Sequence, residues 1–333
     1  MNNKSFTKLI IISIILFFLA FISYLIQPKY ETSIKSGEII FSEIKGKLND
    51  INEINIDNNK KKISIIKDND SWFMKSKSNY KVKSEVVRKN LIQIAELRFQ
   101  EMKTNDESLY SRLDLDFPNN EENNSRYISI LFNDGKSMEF VLGKRRKNGV
   151  YIKKIKDKET WLTKGNLDMS ILEKDWLETN IFNLDYKNIK DISINHLEKK
   201  DSFTLTKDTN NENLLINNLN KDQLPKSDLI ANFLGYFFKN LSFDNVQKRI
   251  SNIEENIILK VIFKLQDETV IEAVFFNIEK DKWVNFQIEN NLIEKLYNNK
   301  SVFIKDINNW SFKLPSAKYS ITDTKLEDLL VED

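Results

Sequence analysis

The chain has 333 residues, of which 41% are hydrophobic and 30% are charged, with seven glycines, one histidine and no cysteine. The absence of cysteine excludes a disulfide framework, a thiolate zinc site and a thiol nucleophile. The single histidine, His196, excludes a histidine-pair metal site within one chain. Lys and Arg total 51 against 49 Asp and Glu, and Lys4 and Lys8 supply the excess. The remainder is formally neutral, which gives no electrostatic reason to expect a nucleic-acid partner.

An uncharged apolar run extends from Leu9 to Ile26, near the start of the sequence. As a helix it would reach about 27 Å, close to the hydrocarbon thickness of a bilayer. A cleaved signal peptide is the alternative, but the run is longer than a usual signal core. It also ends in Tyr24–Pro28 without a small-residue cleavage site. The sequence therefore predicts a cytoplasmic tail (1–8), a retained single-pass transmembrane anchor (9–26) in a bacterial inner membrane, and a periplasmic bulk.

A polar stalk is predicted over residues 27–46, followed by short alternating apolar patterns over residues 47–184. Ser84 is a helix N-cap before Val87, Leu91 and Ile94, which share one helical face. Two alternating runs flank Asp134-Gly135, the strongest hairpin signal in the chain. These patterns predict an antiparallel sheet with one packed helix.

The same order of patterns recurs over residues 188–320. A helix is predicted to open at Pro225-Lys226-Ser227, and alternating runs turn at residues 266–268. Asp134 and Asp267 are 133 residues apart, and Trp176 and Trp310 are 134 apart. We therefore predict an α+β fold: two similar, mostly antiparallel halves, each with a packed helix, and an acidic tail (321–333).

The search for catalytic chemistry yields few candidates. Asp114 and Asp116 place two carboxylates on one side of an extended segment, where they could act as acid and base. His196 continues the alternation of a strand and has no nucleophile-elbow serine near it. We predict a structural role for this histidine, core packing for the five tryptophans, and neither a cofactor nor a metal site.

The densest cluster of cations follows the first hairpin and contains the turn Asn148-Gly149. It could bind an anionic polymer, lipid headgroups or an acidic partner, or it could be a solvated strand pair whose lysines discourage edge pairing. The candidate contact residues are Lys144, Arg145, Arg146, Lys147, Lys153, Lys154 and Lys156.

The order of these signals over residues 47–290 resembles the bacterial domain of unknown function 4340 family. In the family an arginine often follows the tyrosine strand where this chain has Lys153 and Lys154. The resemblance rests on these stretches: Ile54–Trp72, Tyr80–Leu97 leading to Thr104, Leu109–Leu113 leading to Pro118, Leu142–Arg146, Gly149–Tyr151, Trp161-Leu162 and Asp175–Leu177.

The resemblance carries over no catalytic residue, since the family has no assigned activity. It implies a membrane-anchored companion of an ABC-type transport system related to gliding-motility components. We therefore predict a non-enzymatic periplasmic accessory or scaffold protein with transport-system subunits as partners and no assigned small-molecule ligand. The alternative is a periplasmic enzyme that acts on envelope polymers through carboxylates such as Asp114 and Asp116.

Overall fold

The computed structural model describes residues 12–22, 35–118 and 124–331. Within them the chain is a mixed α+β protein with two large antiparallel sheets and few helices. This confirms the predicted fold class at that level. The predicted tail 1–8 lies outside the described residues.

Residues 12–22 form helix α1, inside the segment predicted to span a membrane. Both ends of that predicted segment, 9–11 and 23–26, lie outside the described residues. Among the residues that are described, no helix is both long enough and apolar enough to cross a membrane.

Nine strands form the first large sheet, in the order β4-β3-β2-β1-β6-β7-β8-β9-β5. Gly135, at φ +79°, lies in the turn that joins β6 to β7, as its Asp-Gly signal predicts. The strands are β1 (Ile51–Asp57), β2 (Lys62–Asp68), β3 (Ser71–Met74), β4 (Tyr80–Val82), β5 (Arg98–Thr104), β6 (Arg126–Phe132), β7 (Ser137–Arg146), β8 (Gly149–Lys154) and β9 (Thr160–Lys164).

Eight strands form the second large sheet, in the order β13-β12-β11-β16-β17-β18-β19-β15, while β10 pairs with β14 separately. The strands are β10 (Asn180–Phe182), β11 (Ile189–His196), β12 (Phe203–Lys207), β13 (Leu214–Ile216), β14 (Leu241–Ser242), β15 (Asn245–Lys248), β16 (Ile257–Leu265), β17 (Val270–Ile278), β18 (Asp281–Gln287) and β19 (Trp310–Lys313).

The two strand orders coincide once β4 is set aside. Without β4 the first sheet has the order β3-β2-β1-β6-β7-β8-β9-β5, and the second has the order β13-β12-β11-β16-β17-β18-β19-β15. In both, the strand that comes fourth along the chain (β5 or β15) stands at the edge beside the last strand (β9 or β19). This correspondence matches β19, which begins at Trp310, with β9, which contains Trp161. Trp176, which is 134 residues before Trp310, lies in a short helix rather than in a strand.

Four further helices are described: α2 (Ser84–Glu96), α3 (Glu173–Trp176), α4 (Asn290–Asn298) and α5 (Ser320–Asp323). Helix α2 begins at Ser84 itself, one residue earlier than an N-cap at that position predicts, and it buries Val87, Leu91 and Ile94. All five tryptophans are at most 7% exposed, which confirms that they pack in the interior.

The α-helix predicted to open at Ser227 is wrong. Residues Asn232–Tyr236 form a 3₁₀ helix instead, and Leu229 and Phe233 are exposed. The physical reason is tertiary: the Asn232 side chain accepts hydrogen bonds from the Tyr186 hydroxyl and the Leu214 amide, at 2.9 and 2.8 Å. A side chain on Gly235 would also collide with the Tyr186 ring. These contacts override the apolar period of the segment.

The ends of the predicted stalk and tail belong to the folded part. Ile40, Phe41 and Ile44, within the predicted stalk 27–46, are at most 2% exposed. The predicted acidic tail packs on the chain, because the Val331 amide donates to the Leu224 carbonyl at 2.8 Å. Residues 27–34, 332 and 333 lie outside the described residues.

The residues cluster into two compact units. Unit 1 packs Tyr110, Leu115, Val141 and Tyr151 into one core cluster. Unit 2 contains linked phenylalanine rings, among them Phe182 and Phe238 with centroids 4.6 Å apart. Unit 1 comprises Met1–Gly46, Gln93–Arg126 and Phe140–Leu167, and unit 2 comprises Lys47–Ile92, Tyr127–Glu139 and Asp168–Asp333. The predicted division between residues 184 and 188 stays a prediction.

Candidate functional site

The predicted basic cluster lies on the hairpin of β7 and β8 in unit 1. Arg146 is paired with Gly149, so Lys147 and Asn148 form a two-residue turn. Residues 144–148 are exposed, whereas Gly149, Val150 and Tyr151 are buried. The hairpin therefore carries its cations on an exposed end whose return strand is anchored in the unit 1 core.

A β-bulge interrupts this hairpin at Gly143. The register shifts between Leu142 and Arg145, so three residue steps on β7 oppose two on β8. A Cβ atom on Gly143 would lie 2.3 Å from the Leu113 carbonyl oxygen and 2.9 Å from that of Asp114. The bulge thus needs glycine because the backbone that ends the 3₁₀ helix Glu107–Leu113 approaches it directly.

The turn is fixed from the other side by β9. A Cβ atom on Gly149 would lie 1.7 Å from the Thr163 carbonyl oxygen. The buried Thr163 hydroxyl donates to the Val150 carbonyl at 3.0 Å and accepts from the Val150 amide at 3.2 Å. These contacts fix the position of the hairpin end, and none of them involves a cation of the hairpin.

Three of the seven candidate cations have structural contacts inside unit 1. The Lys144 ammonium donates to the Arg112 carbonyl at 2.9 Å and lies 3.7 Å from an Asp114 carboxylate oxygen. Lys153 lies over the Tyr110 ring at 5.4 Å, and burial lowers the pKa of its ammonium. Lys154 lies 5.2 Å from the centre of the Phe41 ring and 3.5 Å from a Glu43 carboxylate oxygen. These lysines are constituents of the fold.

The remaining candidates are Arg145, Arg146, Lys147 and Lys156, all exposed. The Arg146 guanidinium donates to the Tyr151 hydroxyl at 3.2 Å and lies 5.6 Å from the centre of that ring. It is therefore held in one orientation, with its charge at the surface. Arg145, Arg146 and Lys147 stand together at the turn, and we call them the tip cations.

The candidate catalytic residues Asp114, Asp116 and His196 each make contacts within the fold. Asp114 ends the Glu107–Leu113 3₁₀ helix at φ 54° and faces Lys144 across the bulge. Asp116 is half-buried and has an interaction partner of its own. His196 ends β11, and its Nε2 atom lies 2.8 Å from the Thr324 carbonyl oxygen. The described part of the chain holds no group of three His, Asp or Glu side chains close enough to bind a metal.

Comparison with known proteins places this architecture in a family. A family model described as a domain of unknown function (DUF4340) matches residues 72–247, more than half of the chain. The chain belongs to this family. The match includes the basic hairpin and confirms the resemblance drawn from the ordered motifs. No curated protein and no solved structure matches the chain.

Two of the motif stretches behind that resemblance meet in the structure. Leu109–Leu113 lies in the 3₁₀ helix that ends against the bulge, and Leu142–Arg146 contains the bulge itself. They meet at Gly143, because the Leu113 carbonyl lies where a side chain on residue 143 would have to be. In this chain the two stretches thus form one packed feature.

Sequence reasoning missed a groove in unit 2 beside β4 and the end of α4. Its lining residues include Lys81, Glu178, Tyr297 and Phe303, which come from distant parts of the chain. No local pattern marks them, because they come from separate segments of the chain.

Proposed function

We propose that this chain is a membrane-anchored extracytoplasmic accessory or scaffold protein of an ABC-type, gliding-motility-like transport system, and that its tip cations contact an acidic surface of a partner subunit. The apolar run Leu9–Ile26 supports the anchor, and the family resemblance supports the company of a transporter. The observation that carries the contact is the exposure of Arg145, Arg146 and Lys147 at the end of a hairpin whose backbone is fixed by packing at Gly143 and Gly149.

A fixed hairpin suits such a contact. The backbone at Gly143 and Gly149 is constrained by packing, so little conformational entropy remains to be lost on binding. Arg146 is already oriented by Tyr151, and an arginine can bind a carboxylate with two parallel hydrogen bonds. Exposed cations of this kind favour association rate and partner choice over raw affinity.

We also propose that the chain arose from two similar halves. The support is the common strand order of the two large sheets. Superposing the eight shared strands in chain order tests this proposal. A superposition that requires a changed strand order or direction would contradict it.

Affinity purification from the membrane fraction in mild detergent tests the partner contact. The test variant is Arg145→Ser, Arg146→Ser and Lys147→Ser, which leaves Lys144 in place because that lysine bonds the Arg112 carbonyl. We expect transporter subunits to co-purify with the parent chain and to be lost from this variant.

The matched control removes three exposed cations of unit 2, with Lys187→Ser, Lys221→Ser and Lys280→Ser. We expect it to retain the subunits. Co-purification that survives in the tip variant, or that is lost equally in both variants, would rule out the tip cations as the contact. A parent chain that purifies alone would contradict the scaffold role.

A further inference from the structure

A groove lies in unit 2 beside strand β4. One part has a volume of about 660 Å³, and a second part has a volume of about 330 Å³. The two parts share Lys81, Glu178, Tyr297 and Phe303 as lining residues. The two spaces therefore adjoin, and the size of each lies within the range of ligand sites.

The walls of the groove are set by backbone pairing. Val82 of β4 forms a bridge with Leu177, and the Lys83 amide donates to the Trp176 carbonyl at 2.8 Å. On the far side the Phe303 amide donates to the Ile181 carbonyl at 3.0 Å. These bonds fix both walls without a bound ligand.

Four lysines line this space: Lys81, Lys83, Lys300 and Lys305. Within the described part of the chain none of them forms an ion pair, although many other lysines pair with carboxylates, as Lys295 does with Asp267. The Lys305 ammonium instead lies 4.6 Å from the centre of the Tyr297 ring. The cations thus face the groove rather than an acid of this chain.

Three carboxylates also line the groove, and two of them already accept hydrogen bonds. Asp306 accepts from the Trp310 indole at 2.8 Å, and Glu178 accepts from the Asn180 amide group at 3.4 Å. Glu85 is the third. Cations therefore outnumber carboxylates here, and a bound anion would be favoured.

Aromatic side chains supply an apolar surface between these charges. Phe73, Tyr297 and Phe303 are half-buried and border the groove. Beneath them the Tyr80 and Trp310 rings pack edge-to-face with centroids 4.8 Å apart. The groove combines a rigid aromatic floor with a cationic rim.

We propose that this groove binds an extended acidic peptide segment of a partner protein. Its carboxylates would pair with Lys81, Lys83 and Lys300, and its apolar side chains would pack on Tyr297 and Phe303. The two adjoining spaces and their combination of cationic and aromatic lining residues fit such a chain. The source of the peptide rests on the proposed scaffold function, whereas binding itself does not.

Fluorescence anisotropy with the full chain in nonionic detergent tests the proposal. The probe is a fluorescein-labelled decapeptide of alternating glutamate and leucine. The groove variant is Lys81→Glu, Lys83→Glu and Lys300→Glu, and the matched control is Lys60→Glu, Lys221→Glu and Lys280→Glu. We expect the groove variant to raise Kd about tenfold or more through like-charge repulsion, and the control to stay within about twofold of the parent.

A second variant, Tyr297→Ala with Phe303→Ala, tests the aromatic floor without a change of charge. We expect it to raise Kd about tenfold, since aromatic anchors dominate such contacts. Equal binding by the groove and control variants would overturn the proposal, as would the absence of saturable binding to the parent. Displacement of the peptide by equimolar inorganic phosphate would instead indicate a small-anion site. Each result concerns unit 2 alone, so it is separable from loss of co-purification through the tip cations.

Discussion

The two hairpins β7–β8 and β17–β18 occupy corresponding places in the two strand orders, yet they differ in the charges at their turns. Both close through two-residue turns, with Arg146 opposite Gly149 in one and Ile278 opposite Asp281 in the other. The register of β17–β18 runs without a shift, whereas β7–β8 contains the bulge at Gly143.

Two charges of the second hairpin form ion pairs within the chain. Asp281 pairs with Lys313 at 2.7 Å, and Lys282 pairs with Asp323 at 2.7 Å. The first hairpin also forms ion pairs, through Lys144 and Lys154, but it concentrates Arg145, Arg146 and Lys147 at its exposed end. The two-residue turn of the second hairpin holds one acid and one lysine instead. Since the same strand arrangement forms with either turn, a concentration of cations at the first turn is not a requirement of the architecture, and this favours a role in binding.

The largest difference between the hairpins is expected at the first residue after the turn. Gly149→Ala forces a methyl group onto the Thr163 carbonyl, so we expect it to lower the free energy of unfolding by about 3 kcal/mol. Urea denaturation measures this, with hydrogen exchange of residues 149–164 locating the loss. Gly37→Ala is the control, because its Cβ would meet open space at φ +88°, and it should cost only about 1 kcal/mol. Equal costs would show that β9 does not constrain the turn.

An intermediate effect is expected at Tyr319, whose hydroxyl donates to the Lys282 carbonyl and accepts from the Leu314 amide. Tyr319→Phe leaves these groups without their partner and should cost about 1 to 2 kcal/mol near neutral pH. Burial, the main cause, raises the pKa of Tyr319 to about 12 from its ordinary value of 10.0. The native state therefore keeps the phenol proton that the unfolded chain releases above pH 10. Its contribution to stability is full below pH 10 and is lost as the pH rises towards 12.

Urea denaturation of the parent chain and the Tyr319→Phe variant between pH 8 and pH 12 measures this dependence. We expect the free energy of unfolding to fall less steeply above pH 10 in the variant. Tyr297→Phe is the control for the removal of a hydroxyl, since within the described residues this hydroxyl makes no hydrogen bond, and it should leave the free energy of unfolding at pH 8 unchanged. Parallel curves for the parent and Tyr319→Phe would mean that this phenol does not hold β18.

The smallest effect is expected at Lys144, which crosses the bulge to the Arg112 carbonyl and Asp114. Lys144→Met should cost about 0.5 kcal/mol, because the contact is partly exposed to solvent. Lys147→Met, at the exposed turn, should be indistinguishable from the parent in the same thermal denaturation series. A greater loss from Lys147→Met than from Lys144→Met would reverse the division between structural and displayed cations.

The elements that sequence predicted well are those encoded locally. Asp134-Gly135 specifies a tight turn, and the alternation on both sides specifies the buried face that contains Ile130 and Phe140. Helix α2 is also encoded locally, because Val87, Leu91 and Ile94 recur at helical spacing. The helix predicted after Ser227 does not form, because Tyr186 hydrogen-bonds the Asn232 side chain and packs closely against Gly235. Tyr186 is too far along the chain for a local pattern to include it.

The candidate site was predictable in part. The density of cations after Leu142 located the hairpin, but the sequence could not divide them into two groups. Lys153 and Lys154 have structural roles because they pack against the rings of Tyr110 and Phe41. Those rings come from other segments of the chain. The groove in unit 2 was not predictable, since its lining residues are brought together by long-range pairings, of β4 with residues 176–178 and of Phe303 with Ile181.

The chain enters unit 1 early, and this has a consequence for the proposed anchor. The Gly37 amide donates to the Phe99 carbonyl at 2.7 Å, and the Ile40 amide donates to the Leu97 carbonyl at 2.9 Å, so residues 37–40 are tied to the start of β5. Under the proposal the anchor ends at Ile26, which leaves eight residues, 27–34, before the described part of unit 1. Eight residues extend to about 28 Å at most. The proposed anchor would therefore hold Lys35 within about that distance of the bilayer surface.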